Sequence, residues 1–125
     1  NLKQPFLGIC LGMQLLCNTS EEGNTEGLNI FSCDVRKFTN KLKVPQMGWN
    51  IIKNLKGPLY EKIENSYVYL VHSYYVPIIK STISVTDYGL EYSSAIQKDN
   101  FYGVQFHPEK SSKVGSNILK NFLNL

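Results

Sequence analysis

Three side chains in this sequence could together carry out acyl transfer: Cys10, His107 and Glu109. Cys10 lies in Leu7-Gly8-Ile9-Cys10-Leu11-Gly12-Met13-Gln14, with a glycine two positions to either side. G-x-C-x-G is the thiol counterpart of the G-x-S-x-G elbow, in which a sharp strand-to-helix turn lifts a nucleophile clear of a sheet edge. Gly8 and Gly12 lack a Cβ and are expected to let strand and helix close on each other. At a helix N-terminus, Cys10 would face N–H groups whose partial positive charge favours thiolate over thiol. A cysteine between apolar residues is ordinarily a small core hydrophobe. What sets this one apart is Gly103-Val104-Gln105-Phe106-His107-Pro108-Glu109, where a short strand delivers a His and a carboxylate follows two positions later. A thiol nucleophile needs a base, and the base needs an orienting group. His107 and Glu109 suit those two roles.

Those residues must be held by a single domain. The 125 residues are 42% hydrophobic, with eight Tyr, six Phe and one Trp, enough for a core. The net charge of +3 is carried mostly by Lys spread along the chain without a basic run. It points to neither nucleic acid nor a membrane surface. Three cysteines, an odd number without C-x-x-C spacing, argue against a disulfide framework and a zinc site. A reducing cytoplasm is their natural setting, and no metal or cofactor is implied. No apolar run approaches the ~20 residues of a transmembrane helix, and no signal-peptide pattern is present. The chain begins at Asn1, four residues before the elbow strand. In an open α/β sheet such a strand ordinarily has neighbours on both sides, so an N-terminal portion is expected to be missing.

The elements that position the candidates follow from pattern. Pro5-Phe6-Leu7 reads as a buried strand leading into the elbow, and the helix after it is expected to run from Met13 to about Thr19. Cys17, seven residues beyond Cys10, then falls on a similar helix face and reads as core. Ser20-Glu21-Glu22-Gly23-Asn24 has loop composition. Gly27 to Phe38 alternates loosely through Ile30, Phe31, Val35 and Phe38, giving one or two short strands with Cys33 as a structural residue. Val44-Pro45-Gln46-Met47-Gly48-Trp49-Asn50 looks too irregular for a regular strand. Trp49 there is either a core residue at a strand start or part of a contact surface. Lys56-Gly57-Pro58 is a turn, and Pro58 to Ile63 can form one helical turn packing Leu59 and Ile63. Tyr67 to Val76 is the strongest strand, ended or kinked by Pro77, with His72 read as a hydrogen-bonded core histidine. Ile83 to Thr86 is another strand, closed by Asp87-Tyr88-Gly89. Tyr92–Gln97 and Phe101–Phe106 flank Lys98-Asp99-Asn100 as a hairpin whose second arm presents His107. After the polar loop Lys110 to Lys113, a terminal helix from about Gly115 carries Val114, Ile118, Leu119, Phe122 and Leu123 as its core stripe.

With these motifs in place, the whole chain resembles the class I (triad) glutamine amidotransferases. The elbow F-L-G-I-C-L-G-M-Q and the element G-V-Q-F-H-P-E are shared with that class. P-Q-M-G-W-N at 45–50, V-H-S-Y-Y at 71–75 and Lys110-Ser111 after Glu109 are similar to a narrower group, the glutaminase subunits that pair with a (β/α)8 cyclase in histidine biosynthesis. The resemblance implies an α/β, flavodoxin-like three-layer domain over residues 1–125, without its N-terminal strand–helix units. It departs in three ways. Gln46 stands where the group has His, at a position bordering its partner interface. Asn29 in Gly27-Leu28-Asn29 stands where Gly is expected. The glycine-rich loop that supplies part of the oxyanion hole is absent with the N-terminal units.

The resemblance further implies that Cys10, His107 and Glu109 are catalytic, and that the Leu11 backbone N–H is one oxyanion donor. It implies that Gln14 and the Ser73-Tyr74 backbone hold L-glutamine. Met47, Trp49, Tyr69 and Lys110 are the candidates for a docking face; ordinary packing for Met47 and Trp49, and a solvated charge for Lys110, are the simpler alternatives. Three rival functions share parts of the pattern: an amidotransferase feeding a surface-sugar-modifying synthase, a γ-glutamyl hydrolase without a partner, and a catalytically silent binding subunit.

Overall fold

The computed structural model describes residues 3–21, 25–39 and 41–125. Glu22, Gly23 and Asn24 of the expected loop lie outside the described residues. In chain order the elements are β1 (Phe6–Ile9), α1 (Leu11–Leu15), β2 (Cys17–Ser20), β3 (Thr25–Glu26), β4 (Phe31–Lys37), β5 (Gln46–Ile52), β6 (Ser66–His72), β7 (Tyr74–Tyr75), β8 (Thr82–Asp87), β9 (Glu91–Lys98), β10 (Phe101–Val104) and α2 (Ser112–Leu123). Short 3-10 turns cover Pro58–Tyr60 and Pro108–Lys110.

The sheet that carries the elbow has the order β1-β10-β9-β8. β1 runs parallel to β10, and the β8–β9 and β9–β10 pairs are antiparallel. A second sheet has the order β3-β2-β4-β7, and β5 and β6 form an antiparallel ribbon. The expected hairpin is present, with Asp99 in the left-handed region at φ 53 in its tight turn. Pairing β1 with β10 brings the two sequence-distant motifs side by side, Ile9 opposite Val104. This α/β arrangement, rich in strand and sparing in helix, is the expected class of fold.

The alternation of β9 divides the core. Ala95 joins Ile52, Leu70, Val104, Phe106 and Ile118 in one buried cluster, while its neighbour Ile96 joins Met13, Leu16, Phe31 and Val35 in the other. The stacked glycines Gly8 and Gly103, paired in register, form the floor on which α1 lies. A Cβ on Gly8 would stand 2.6 Å from the Gly12 carbonyl oxygen, and one on Gly103 would stand 2.7 Å from Met13 Cγ. The terminal helix closes the first cluster. A Cβ on Gly115 would stand 1.9 Å from the Pro108 carbonyl oxygen, so α2 approaches the turn after His107 as only glycine permits.

Four expectations are corrected. The first helix ends at Leu15, and Cys17–Ser20 is a strand instead of its continuation. Asn, Thr and Ser are poor helix formers, and pairing with β4 captures them. Cys17 is nevertheless buried. The segment whose composition looks too irregular for a strand is the regular strand β5, paired with β6 at every residue from Gln46↔His72 to Ile52↔Ser66. Gly48, at φ 126, absorbs the unusual backbone there. The Tyr67–Val76 run divides at Ser73 into β6 and β7. The last helix begins at Ser112, and Leu123 is 79% exposed instead of in the core stripe. Asn29 has φ 54, in the left-handed region that Asn tolerates better than other residues with a side chain, consistent with a glycine-like position.

Candidate active site

Cys10 joins β1 to α1 with φ 54 and ψ −108. A non-glycine residue held there is strained, and that strain is the signature of an elbow that pushes a side chain outward. The Cys10 backbone N–H donates to the Val104 carbonyl at 2.8 Å, continuing the β1–β10 ladder into the turn. The two flanking glycines serve differently from the symmetric expectation. Gly8 is required by the close approach described above, whereas a Cβ on Gly12 would meet nothing within 4 Å. Leu11 opens α1, so its N–H is among those that no residue four earlier in the helix can accept.

The candidate base is held three residues past β10. His107 Nδ1 lies 2.8 Å from Glu109 Oε1. That contact puts the neutral imidazole's proton on Nδ1 and leaves Nε2 as the basic nitrogen. The backbone of His107 is clamped to β6: its N–H donates to the Tyr69 carbonyl at 3.0 Å, and its carbonyl accepts from the Ser111 hydroxyl at 2.7 Å. Ser111 in turn accepts from the Tyr69 N–H at 2.9 Å. Two residues along the same strand, the Val71 carbonyl accepts from Cys10 Sγ at 3.6 Å. One edge of β6 therefore anchors both Cys10 and His107.

A pocket of about 240 Å³ opens at this point, lined by Cys10, Leu11, Gln14, Val71, His72, Ser73 and Tyr74. The sequence-derived candidates Cys10, Leu11, Gln14, Ser73 and Tyr74 thus meet around one cavity. Gln14 Nε2 donates to the Tyr74 carbonyl at 3.1 Å and to Gln105 Oε1 at 3.0 Å. Gln105, fully buried, donates from Nε2 to Cys10 Sγ at 3.6 Å. Gln105 and Ser111 enter the sequence reading only inside longer motifs. Their roles are tertiary, and spacing alone gives no signal for them.

On the pocket wall, His72 is buried against Phe38 and Tyr92, with ring centroids 5.2 Å from each. Burial pushes its pKa down to about 4, outweighing the raising effect of the Tyr74 carbonyl. Burial also pushes the Tyr92 hydroxyl well above the ordinary tyrosine range. Gln46 is buried, with its Oε1 2.9 Å from His72 Nε2.

A glutamine amidotransferase class-I model matches residues 1–125. The chain belongs to the class I glutamine amidotransferases. Among similar proteins, the imidazole glycerol phosphate synthase subunit HisH of Bacteroides fragilis is 54% identical over 128 residues, covering 99% of this chain and 65% of the relative. HisH of Buchnera aphidicola is 56% identical, covering 98% and 65%. The chain therefore spans about 65% of the length of these relatives. Among solved structures, a putative GMP synthase protein from Thermoplasma acidophilum superposes with a TM-score of 0.69 at 20% identity, over 96% of this chain and 56% of that one. A glutamine amidotransferase from Thermotoga maritima gives 0.64 at 17% identity, over 96% and 47%. At those identities they share the fold.

The remaining candidates of this amidotransferase chain lie on the β5–β6 ribbon and beside the base. Met47 and Trp49 are 67% and 51% exposed, and Trp49 makes an edge-on ring contact with Tyr69, its partner in register. Trp49 is therefore not a core residue at a strand start. Tyr67, not singled out from the sequence, extends the same face and is also exposed. Lys110 is exposed at the end of the turn that contains Glu109.

Proposed function

We propose that the parent protein is the glutaminase subunit of an imidazole glycerol phosphate synthase, working in the cytoplasm with a (β/α)8 cyclase subunit. The observation that carries this is the convergence of a strained Cys10 elbow and a Glu109-oriented His107 on one edge of β6, beside a pocket lined by Gln14, Ser73 and Tyr74. The narrower assignment is supported by relatives near 54% identity named as HisH.

In the mechanism, Cys10 Sγ attacks the side-chain carbonyl carbon of glutamine, forming a C–S bond. The oxyanion is met by the Leu11 N–H, a donor class worth about 10²–10³ in rate. His107 carries the thiol's proton to the departing nitrogen, the C–N bond breaks, and ammonia leaves a γ-glutamyl thioester. Water then gives a proton to His107 and attacks the thioester; glutamate departs and the proton returns to sulfur. Glu109 stabilises the imidazolium in both halves. Gln14 spends its amide nitrogen on the protein, so Oε1 is the end that would meet glutamine. Gln105 steadies both Gln14 and Cys10.

Ammonia released into water is largely protonated and no longer nucleophilic, so a partner that receives it directly has a chemical advantage. The β5–β6 ribbon is suited to such a partner. Met47 and Trp49 of β5 with Tyr67 and Tyr69 of β6 form an apolar, aromatic face, and the Tyr69 carbonyl of β6 clamps His107, whose own carbonyl accepts from the Lys110 N–H. The test is glutamine-dependent ammonia release by the full-length protein, with and without the cyclase and its nucleotide ligand. Strong stimulation is the expected result. Release indifferent to that partner would redirect the assignment to a hydrolase or another acceptor, and no release would leave a binding subunit.

A further inference from the structure

We propose that His72, fixed by Gln46 and Tyr92, is a positioning residue that holds the Tyr74 carbonyl and so sets the Ser73-Tyr74 wall of the glutamine pocket. The proposal rests on the glutamine reading above and adds to it a function for a buried polar cluster that the mechanism does not use. The chain leaves β6 at His72 and re-enters a strand at Tyr74, so the backbone at Ser73 is not held by a continuous ladder. The Ser73 carbonyl accepts from the Phe38 N–H at 3.1 Å, and the next carbonyl, that of Tyr74, is held by side chains. The Tyr74 carbonyl accepts from His72 Nδ1 at 2.7 Å and from Gln14 Nε2 at 3.1 Å, which occupies both of its lone pairs.

His72 can give that hydrogen bond only with its proton on Nδ1. Burial keeps the ring neutral at ordinary pH. Nε2 must then be the acceptor, 3.1 Å from the Tyr92 hydroxyl and 2.9 Å from Gln46 Oε1; two acceptors cannot bond, so with this tautomer the Gln46 carboxamide is turned end for end and presents its N–H to the ring. Tyr92 and Gln46 are themselves 2.7 Å apart, closing a three-membered cluster. A carboxamide can turn either a donor or an acceptor to its neighbours, and it does not titrate. Gln46 therefore fixes the ring's tautomer without competing for its proton, which a second imidazole at that position would do. His72, Gln46 and Tyr92 bond one another and the Tyr74 carbonyl, whereas Cys10 Sγ donates to the Val71 carbonyl and accepts from Gln105 Nε2. The cluster acts on where glutamine lies, not on how the thiol reacts.

The test uses the full-length protein with its synthase partner and three readouts: the KM for glutamine, the saturation constant for inactivation by the electrophilic analogue 6-diazo-5-oxo-L-norleucine, and the rate at which iodoacetamide alkylates Cys10, read on that peptide by mass spectrometry. His72→Leu is expected to raise the first two about 10-fold, the scale of one lost hydrogen bond, and to leave iodoacetamide alkylation unchanged. His72→Asn, which puts an N–H near the place of Nδ1, is expected to recover most of the loss. Unaltered glutamine and analogue constants in His72→Leu would overturn the proposal, as would a His72→Asn variant as impaired as His72→Leu. If His72→Leu fails to fold, His72→Asn is compared with His72→Gln, whose longer amide reaches toward Gln46 instead; equal constants in that pair overturn the proposal. A wild-type protein that neither hydrolyses glutamine nor reacts with the analogue would refute the glutamine reading itself, a result distinct from each of these.

Discussion

Glu109 has a side chain about half exposed, although it sits 2.8 Å from His107 Nδ1. Solvent screens its charge, so its contribution is chiefly to hold the tautomer. Glu109→Gln is expected to lower kcat roughly 10- to 100-fold, at or below the range of losing a general base altogether. Cys10→Ala should leave no turnover at all, and steady-state ammonia release on the two variants checks the order. His72 gives a prediction of a different kind. Its pKa is about 4 in the folded protein and near 6.5 unfolded, so the unfolded chain binds the extra proton first as pH falls. Stability is therefore fully present above the unfolded value and is lost on acidification toward the folded one. From pH 7 to pH 5 the loss is about 2 kcal/mol at 1.36 kcal/mol per unit. Urea unfolding at the two pH values should show it in wild type and show much less in His72→Asn.

At the scale of elements, the elbow is an asymmetric device. Gly8 faces the Gly12 backbone at 2.6 Å, whereas Gly12 has open space where its own Cβ would be. Gly8→Ala should destabilise by about 1–3 kcal/mol, the usual range for an overpacked site, because the obstruction is backbone and cannot swing away. Gly12→Ala should be neutral or stabilising by up to about 1 kcal/mol, since Ala is the better helix former. Thermal unfolding of the pair decides; equal losses would contradict this account of the elbow. The same contrast marks what can be read from the chain. G-x-C-x-G and the hairpin before His107 are local patterns, and the elbow strand, the turn and the arm carrying His107 are all found. The first helix reads too long because apolar spacing continues at Leu16 and Cys17 where strand pairing with β4 has already taken over. β5 is hidden because Pro45 and Gly48 look like loop punctuation, yet β6 supplies a partner for every residue of it. Gln105, Ser111 and the Gln46–His72–Tyr92 cluster act through residues tens of positions away, and no local spacing encodes that.

At the scale of the whole molecule, β6 connects two surfaces. Its edge turned from β5 takes hydrogen bonds from His107 and Cys10, while its outward side chains, with those of β5, form the exposed aromatic face. A partner seated on that face would press on the strand that positions the base, which makes the face a place where binding and chemistry can be linked. Trp49 is the residue on which to test docking. It is half exposed, lies at the centre of the ribbon opposite Tyr69, and has the shape and size of an interface anchor. Trp49→Ala removes little from the core, so its unfolding midpoint should stay close to that of wild type. Its affinity for the proposed cyclase partner should fall by about 2 kcal/mol, roughly 30-fold in Kd, the usual cost of truncating such an anchor. Titration calorimetry on the full-length pair measures this directly, with Lys113→Ala, on the exposed first turn of α2, as a control for generic surface change. An unchanged Kd for Trp49→Ala would remove the ribbon from the interface and leave its exposed aromatic rings without a partner.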